Sequence, residues 1–184
     1  MSDEGATGRA PGWLSLVRDV PDFPEPGVMF KDISPLLADH AALVEVVEAL
    51  ASAGRDQAGD VVVDKVAGVE ARGFILAAPV AVVLGVGFVP VRKAGKLPGE
   101  VLGQSYALEY GEATLEIHRD ALAPGDRVLV IDDVLATGGT IGATAALVER
   151  AGATVTGVAV LIELGFLGGR ARLCDVPLVA LTTV

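Results

Sequence analysis

Cysteine and histidine are almost missing from this chain, with 1 Cys and 2 His in 184 residues. The lone thiol, Cys174, cannot close an internal disulfide and has no metal-ligand spacing around it. It is predicted to be a plain buried or half-buried thiol, and neither His40 nor His118 is assigned as a ligand. Positive charge is scarce too: 14 basic residues face 24 acidic ones, a formal net charge of -10. That balance opposes non-specific binding to nucleic acid, so any polyanion must be met by a local site. Long apolar runs are also absent. Although 52% of the residues are hydrophobic, Gly, Pro and charges break every stretch before the roughly 18 to 20 residues that a membrane helix needs. The opening "MSDEGATGRAP" lacks the basic and apolar regions of a secretory signal. A soluble, cytoplasmic protein without a membrane or nucleic-acid partner is expected. Two nucleotide motifs are missing as well. There is no G-x-x-x-x-G-K-[ST], and the one tempting G-x-G, Gly85-Val86-Gly87, precedes a strand and lacks the third glycine. P-loop and Rossmann sites are excluded.

What is present is an alternation of elements in a chain long enough to bury a core. Residues 1–11 are predicted to be disordered, and 12–184 to form one domain. The stretch from Trp13 to Asp39 has four prolines between Pro21 and Pro35, too many for a long helix or a central strand. It reads as a structured cap or hood over about residues 12–40, with Trp13 packing the terminal segment down. Leu43, Val46, Val47 and Leu50 form a helical stripe ended by Gly54. "DVVVDKVAGV" (60–69) is a β-branched strand, "FILAAPVAVVLG" a helix with an internal proline, and "VGFVPV" (86–91) another strand. A loop from Arg92 to Gly103 leads to "SYALEY" and "ATLEIH", which flank Gly111-Glu112 like a hairpin. "RVLVI" (127–131) is a third core strand, Ile141 to Ala151 its helix, Gly152 the C-cap, and "TVTGVAVLIE" (154–163) the next strand. Strands separated by helices imply an α/β fold, a mainly parallel twisted sheet flanked by helices.

In such a sheet, ligands bind outside the carboxyl ends of the strands, where strand-to-helix loops offer free N–H groups. Ala136-Thr137-Gly138-Gly139-Thr140 is such a loop, directly after Asp132-Asp133. Two acids at a strand end are ordinarily a solvated pair. Here an apolar strand precedes them and a small-residue loop follows, so the carboxylates are read as acceptors for vicinal hydroxyls and the loop as a 5′-phosphate cradle. One strand, loop and helix would then read a ribose 5-phosphate.

"VLVIDDVLATGGT" resembles the phosphoribosyl-diphosphate signature of the type I phosphoribosyltransferases. "DFPEPGVMFKDISPLL", "GVEARGF", "VPVRKAGKLPG" and "YALEYGEATLEIH" are similar, in the same order, to successive motifs of the adenine phosphoribosyltransferase family. The resemblance spans about residues 20 to 170. It implies a type I fold with an N-terminal hood and a flexible catalytic loop and hairpin. The implied reaction converts adenine and 5-phosphoribosyl 1-diphosphate to AMP and diphosphate, in a homodimer, with Mg²⁺ bound mainly through the phosphoribosyl diphosphate and no metal site of the protein's own.

Carried across residue by residue, the resemblance gives Asp132 and Asp133 the ribose hydroxyls and Ala136 to Thr140 the 5′-phosphate, as the residues themselves imply. Glu70-Ala71-Arg72-Gly73 matches the diphosphate loop, with a cis peptide implied between Glu70 and Ala71. Arg92, Lys93 and Lys96 form a basic cluster in an acidic chain and would meet the leaving diphosphate as the loop closes. Ala94 stands where some relatives carry another basic residue. Met29, Phe30 and Lys31 occupy the adenine-contact positions of the hood, and Lys31 stands where many relatives have Arg. Glu109 and Tyr110 match the catalytic pair. The alternatives are a transferase for hypoxanthine-guanine, xanthine or orotate, and a non-catalytic regulator that binds phosphoribosyl diphosphate. Such a regulator needs an added nucleic-acid-binding element and a positive face, and the sequence shows neither.

Overall fold

The structure is a computed structural model that describes residues 11–107, 111–173 and 176–184. Residues 1–10 of the predicted disordered start, and Cys174, lie outside the described residues. The chain divides into two compact units, the first ending at Val46 and the second running from Val47 to Val184. No helix among the described residues is long and apolar enough to cross a membrane.

The first unit opens with a short 3-10 turn, Gly12–Leu16, in which Trp13 is buried. Two three-residue strands, β1 (Arg18–Val20) and β2 (Phe30–Asp32), then pair antiparallel. The pairing is legible in charge: Arg18 faces Asp32 and Asp19 faces Lys31, each pair closing to 2.6 Å. Opposite charges directly across a ladder stabilise it by a few tenths of a kcal/mol, to about 1 at most. The proline-rich link between the strands is tied by the Gly27 amide, which donates to Asp22 Oδ1 at 2.7 Å. Pro35 stands in the first turn of α1 (Ser34–Ala38), where a missing N–H costs nothing. Asp39 Oδ1 accepts from the Ala42 amide at 2.9 Å and so caps α2 (His40–Ala51).

The second unit is built on a seven-stranded sheet in the order β5-β6-β4-β3-β7-β8-β9. Its elements are β3 (Lys65–Val69), α3 (Arg72–Leu84), β4 (Gly87–Lys93), β5 (Val101–Ala107), β6 (Glu112–His118), β7 (Arg127–Leu135), α4 (Gly139–Arg150), β8 (Thr154–Glu163) and β9 (Leu178–Thr183). The β4-β3-β7-β8-β9 portion is parallel and the β4-β6-β5 edge antiparallel. The predicted mainly parallel sheet is therefore observed. Val128, Leu129, Val130 and Ile131 have no exposed surface, which is why this strand reads as an unbroken apolar run. Leu76, Ala77 and Val80 of α3 and Ile141, Leu147 and Val148 of α4 are buried in turn. Each large aliphatic side chain so buried contributes about 1.5 to 3 kcal/mol. A Cβ on Gly68 would lie 2.6 Å from Ala77 Cβ, so only glycine lets α3 approach β3 this closely.

Three boundaries differ from expectation. β3 begins at Lys65, not Asp60, because the preceding segment is held by other partners: the Val62 amide donates to Gly54 O, and Asp64 pairs with Arg127 at 2.9 Å. β7 continues past Ile131 to Leu135, so both aspartates stay within the ladder, with Asp132 opposite Val160 of β8. β9, a parallel edge strand, was not anticipated.

Candidate active site

The carboxyl ends of β3, β4 and β7 converge on a cavity of about 430 Å³ lined among others by Glu70, Arg72, Tyr106, Asp132, Asp133 and Thr140. β3 ends at Val69, the Glu70–Ala71 peptide is cis as the resemblance implies, and α3 starts at Arg72. Ala71, Lys93 and Ala136 line the same cavity.

Asp132 and Asp133 are 8% and 6% exposed. Asp132 Oδ1 accepts the Asp133 amide at 2.9 Å. Burial, reinforced by the neighbouring Asp133 charge, pushes the Asp132 carboxyl well above the usual carboxylate range. Asp133 Oδ2 meets Arg72 Nε at 2.6 Å as an ion pair, without a hydrogen bond of its own. Gly73 makes this packing possible, since a Cβ there would sit 2.8 Å from Asp132 Oδ1 and 3.1 Å from Ile131 O. Two acids crowded into an apolar strand work against stability, so their placement needs a ligand to explain it.

The loop after β7 closes a smaller cavity of about 60 Å³ lined by residues 134–141, which include Ala136, Thr137, Gly138, Gly139 and Thr140. Gly138 is the N-cap of α4 in the left-handed region at φ 82°, and the helix start has no side-chain cap. Its first-turn N–H groups and the helix dipole therefore favour an anion. The back of this loop rests on Gly169: a Cβ on Gly169 would lie 2.1 Å from Ala136 O, and one on Gly138 would lie 2.7 Å from Gly169 O. The turn Gly169–Leu173 is pinned by Arg170, which pairs with the buried Glu163 at 2.5 Å and donates to Leu178 O. Gly169→Ala should therefore push the residue 136–140 loop outward. The expected result is a loss of about 1 to 3 kcal/mol in stability with weakened phosphoribosyl diphosphate binding, measured by thermal denaturation and calorimetry. Unchanged binding would show that the loop does not depend on this support.

The basic cluster is engaged with Glu70. Lys96 Nζ reaches Glu70 Oε1 at 3.0 Å, while Oε2 accepts the Lys93 amide at 3.1 Å and Arg92 Nε at 3.3 Å. Burial alone would raise this carboxyl; the hydrogen bonds from Lys96, the Lys93 amide and Arg92 outweigh it and hold it at about 2. The Arg92 guanidinium also lies 5.9 Å from the centre of the Phe74 ring. The Gly95 amide donates to Glu116 Oε2 at 2.9 Å, so the loop is tied at both sides.

Glu109 and Tyr110 lie outside the described residues. The strands on either side of them are paired from Val101↔His118 to Ala107↔Glu112, as the predicted hairpin requires. In the first unit, Met29 is 47% exposed, Phe30 is half-buried and packs edge-on to Phe23 at 5.0 Å, and the Lys31 ammonium is held by Asp19. Sequence reasoning missed Tyr106, which lines the cavity, and the Gly169, Glu163 and Arg170 support. Each acts across at least seven residues of chain, and for Gly169 no local pattern marks the role.

A paired-carboxylate strand end, a glycine-rich anion loop and an arginine on the neighbouring strand end are the parts a phosphoribosyl-binding protein needs. The phosphoribosyl transferase domain family matches residues 36–173, and the chain belongs to it. It is similar to the adenine phosphoribosyltransferase of a Nocardioides species at 70% identity over 171 residues, covering 93% of this chain and 92% of that one. Among solved structures, it is similar to the adenine phosphoribosyltransferase of Thermoanaerobacter pseudethanolicus, with a TM-score of 0.88, 49% identity, and coverage of 94% of this chain and 98% of that one. The Saccharomyces cerevisiae enzyme, solved with adenine and an imino-altritol bisphosphate, gives a TM-score of 0.87 and 37% identity over 92% of this chain and 96% of its own.

Proposed function

We infer that the chain transfers the 5-phosphoribosyl group of 5-phosphoribosyl 1-diphosphate to adenine, forming AMP and diphosphate in purine salvage. The observation that carries this is the buried Asp132-Asp133 pair, which shares one cavity with Arg72 and Thr140 of the phosphate loop. The base is chosen on the relatives, which carry the adenine name. Incubation with adenine, phosphoribosyl diphosphate and Mg²⁺ should yield AMP on chromatography. Its absence would contradict the assignment.

In this reading Asp132 and Asp133 accept the ribose 2′ and 3′ hydroxyls, and residues 136–140 hold the 5′-phosphate. Ala71, Arg72 and Gly73 face the diphosphate, while Met29, Phe30 and Lys31 serve the adenine. The C1–diphosphate oxygen bond breaks as the lone pair on purine N9 bonds to C1, and the purine sheds the proton carried at N7. Positive charge grows on the sugar and negative charge on the leaving group, so fixed cations at the diphosphate favour the transition state. The carboxylates of Asp132 and Asp133 at the cavity are hard oxygen donors of the kind that fit a hydrated Mg²⁺ carried in by the substrate. When bound, Mg²⁺ would neutralise diphosphate charge. The exposed apolar side chains Ile75 and Val82 of α3 are consistent with a homodimer.

Glu70, an anion, is the counter-ion of the loop, and Arg92 and Lys96 exchange it for diphosphate. Glu70→Gln keeps an acceptor but removes the competing charge. Diphosphate inhibition should tighten by about three- to tenfold. Because the Glu70 carboxyl drops from 4.5 to about 2 on folding, its stabilisation is present above the unfolded value and lost as pH falls through about 2. The variant should therefore also melt lower at neutral pH. Weaker diphosphate inhibition would rule out the exchange.

A further inference from the structure

The phosphate loop touches one side chain that the reaction as derived does not use. Tyr106 lies on β5, three residues before Glu109 in sequence, half-buried against the core and lining the main cavity. Its ring lies over Gly139, where a Cβ would be 3.3 Å from Cδ2 and 3.7 Å from Cε2. Its hydroxyl accepts a long hydrogen bond from Thr140 Oγ1 at 3.4 Å.

We propose that Tyr106 is a positioning residue that registers the hairpin against an occupied 5′-phosphate loop through a two-hydroxyl relay. The argument rests on the reading of residues 136–140 as the phosphate cradle and on proton counting. A threonine hydroxyl has one proton and two lone pairs. In the structure the Thr140 and Tyr106 hydroxyls face each other at 3.4 Å, with Thr140 Oγ1 in the donor position. A phosphate oxygen can only accept, so on its arrival the Thr140 proton turns to the phosphate and leaves its lone pairs to the Tyr106 proton. The chain then runs from the Tyr106 hydroxyl to Thr140 Oγ1 to the phosphate oxygen, with both dipoles pointing at the charge. Hydrogen bonds ending on an anion are shorter and reinforce one another. The long Tyr106–Thr140 contact should therefore tighten when phosphate binds and draw the end of β5 onto the loop. Gly139, which has no side chain, lets the ring follow.

Tyr106→Phe keeps the ring over Gly139 and deletes only the hydroxyl. With the full chain, the Kd of ribose 5-phosphate by calorimetry and the KM of phosphoribosyl diphosphate should each rise about five- to tenfold, while the Kd of diphosphate stays within twofold. In a Thr140→Ala background the same change should have no further effect, because the relay is already cut. An unchanged ribose 5-phosphate Kd, an equal loss for diphosphate, or effects of the two substitutions that simply add would each overturn the relay. A wild-type chain that fails to bind ribose 5-phosphate would instead overturn the phosphate-loop assignment, and the relay with it.

Discussion

Glu109→Ala is expected to lower turnover by about a hundredfold or more while leaving the affinity for phosphoribosyl diphosphate within a few fold. The purine N9 attacks as the diphosphate leaves, and the base must shed a proton during or just after that step. A carboxyl positioned near N7 can manage this proton, and general acid-base help of that kind contributes about 10² to 10⁴-fold. In the sequence Glu109 comes two residues after the end of β5, which pairs with β6 from Val101↔His118 to Ala107↔Glu112. The loop between β4 and the hairpin carries Lys96, directly after Lys93 at the end of β4 and Ala94-Gly95. Closure of that loop, as proposed, would also exclude water that would otherwise hydrolyse the activated ribose. The carboxylate pair and the phosphate loop are untouched by the substitution, which is why binding and turnover should separate. Steady-state kinetics together with calorimetry on the variant checks this. Near-normal turnover would remove Glu109 from the mechanism and leave the proton to Tyr110 or solvent.

The Asp132→Asn/Asp133→Asn double variant should weaken phosphoribosyl diphosphate binding by about a hundredfold, since hydrogen bonds to charged acceptors contribute about 1.5 to 3 kcal/mol each and the two are not independent. Stability should move the other way for Asp132→Asn alone. Its carboxyl lies well above the ordinary 3.8 because it is buried beside Asp133. The folded state therefore holds that proton more tightly than the unfolded chain does. The resulting stabilisation is complete below pH 3.8 and is lost as pH rises through the folded value, so at neutral pH the charged pair weakens the fold. Asparagine keeps the Oδ1 acceptor for the Asp133 amide and removes the repulsion. A higher melting temperature, by roughly 2 to 4 °C for each kcal/mol recovered, is expected at neutral pH, with poorer substrate binding. Equal affinity in the wild type and the double variant would remove the pair from substrate binding.

The sequence made the parallel core readable because its strands are buried on both faces and so appear as unbroken apolar runs, as at Val128 to Ile131. It made Asp132, Asp133 and the residue 136–140 loop readable as one candidate site because strand, acids, loop and helix are contiguous in the chain. What it hid depends on distance or on a conflict of signals. Asp132 and Asp133 looked like the end of a strand because charge usually marks one, yet β7 continues to Leu135 through its pairing with β8. Gly169 carries no local sign that it backs the phosphate loop, because its partner Ala136 is far away in sequence. Tyr106 resembled any aromatic residue in a strand, and only folding sets it against Gly139 and Thr140. Arg92, Lys93 and Lys96 stand close together in the sequence, but the engagement of Arg92 and Lys96 with Glu70 depends on β3 and β4 being neighbours in the sheet.

The most direct test of the central claim is diphosphate release, measured with phosphoribosyl diphosphate, Mg²⁺ and each nucleobase in turn. Rapid release with adenine alone is the result expected of a cavity that reads the ribose 5-phosphate through Asp132, Asp133 and residues 136–140 in a chain of this family. Release driven by hypoxanthine, guanine, xanthine or orotate in place of adenine, or by no base at all, would contradict it.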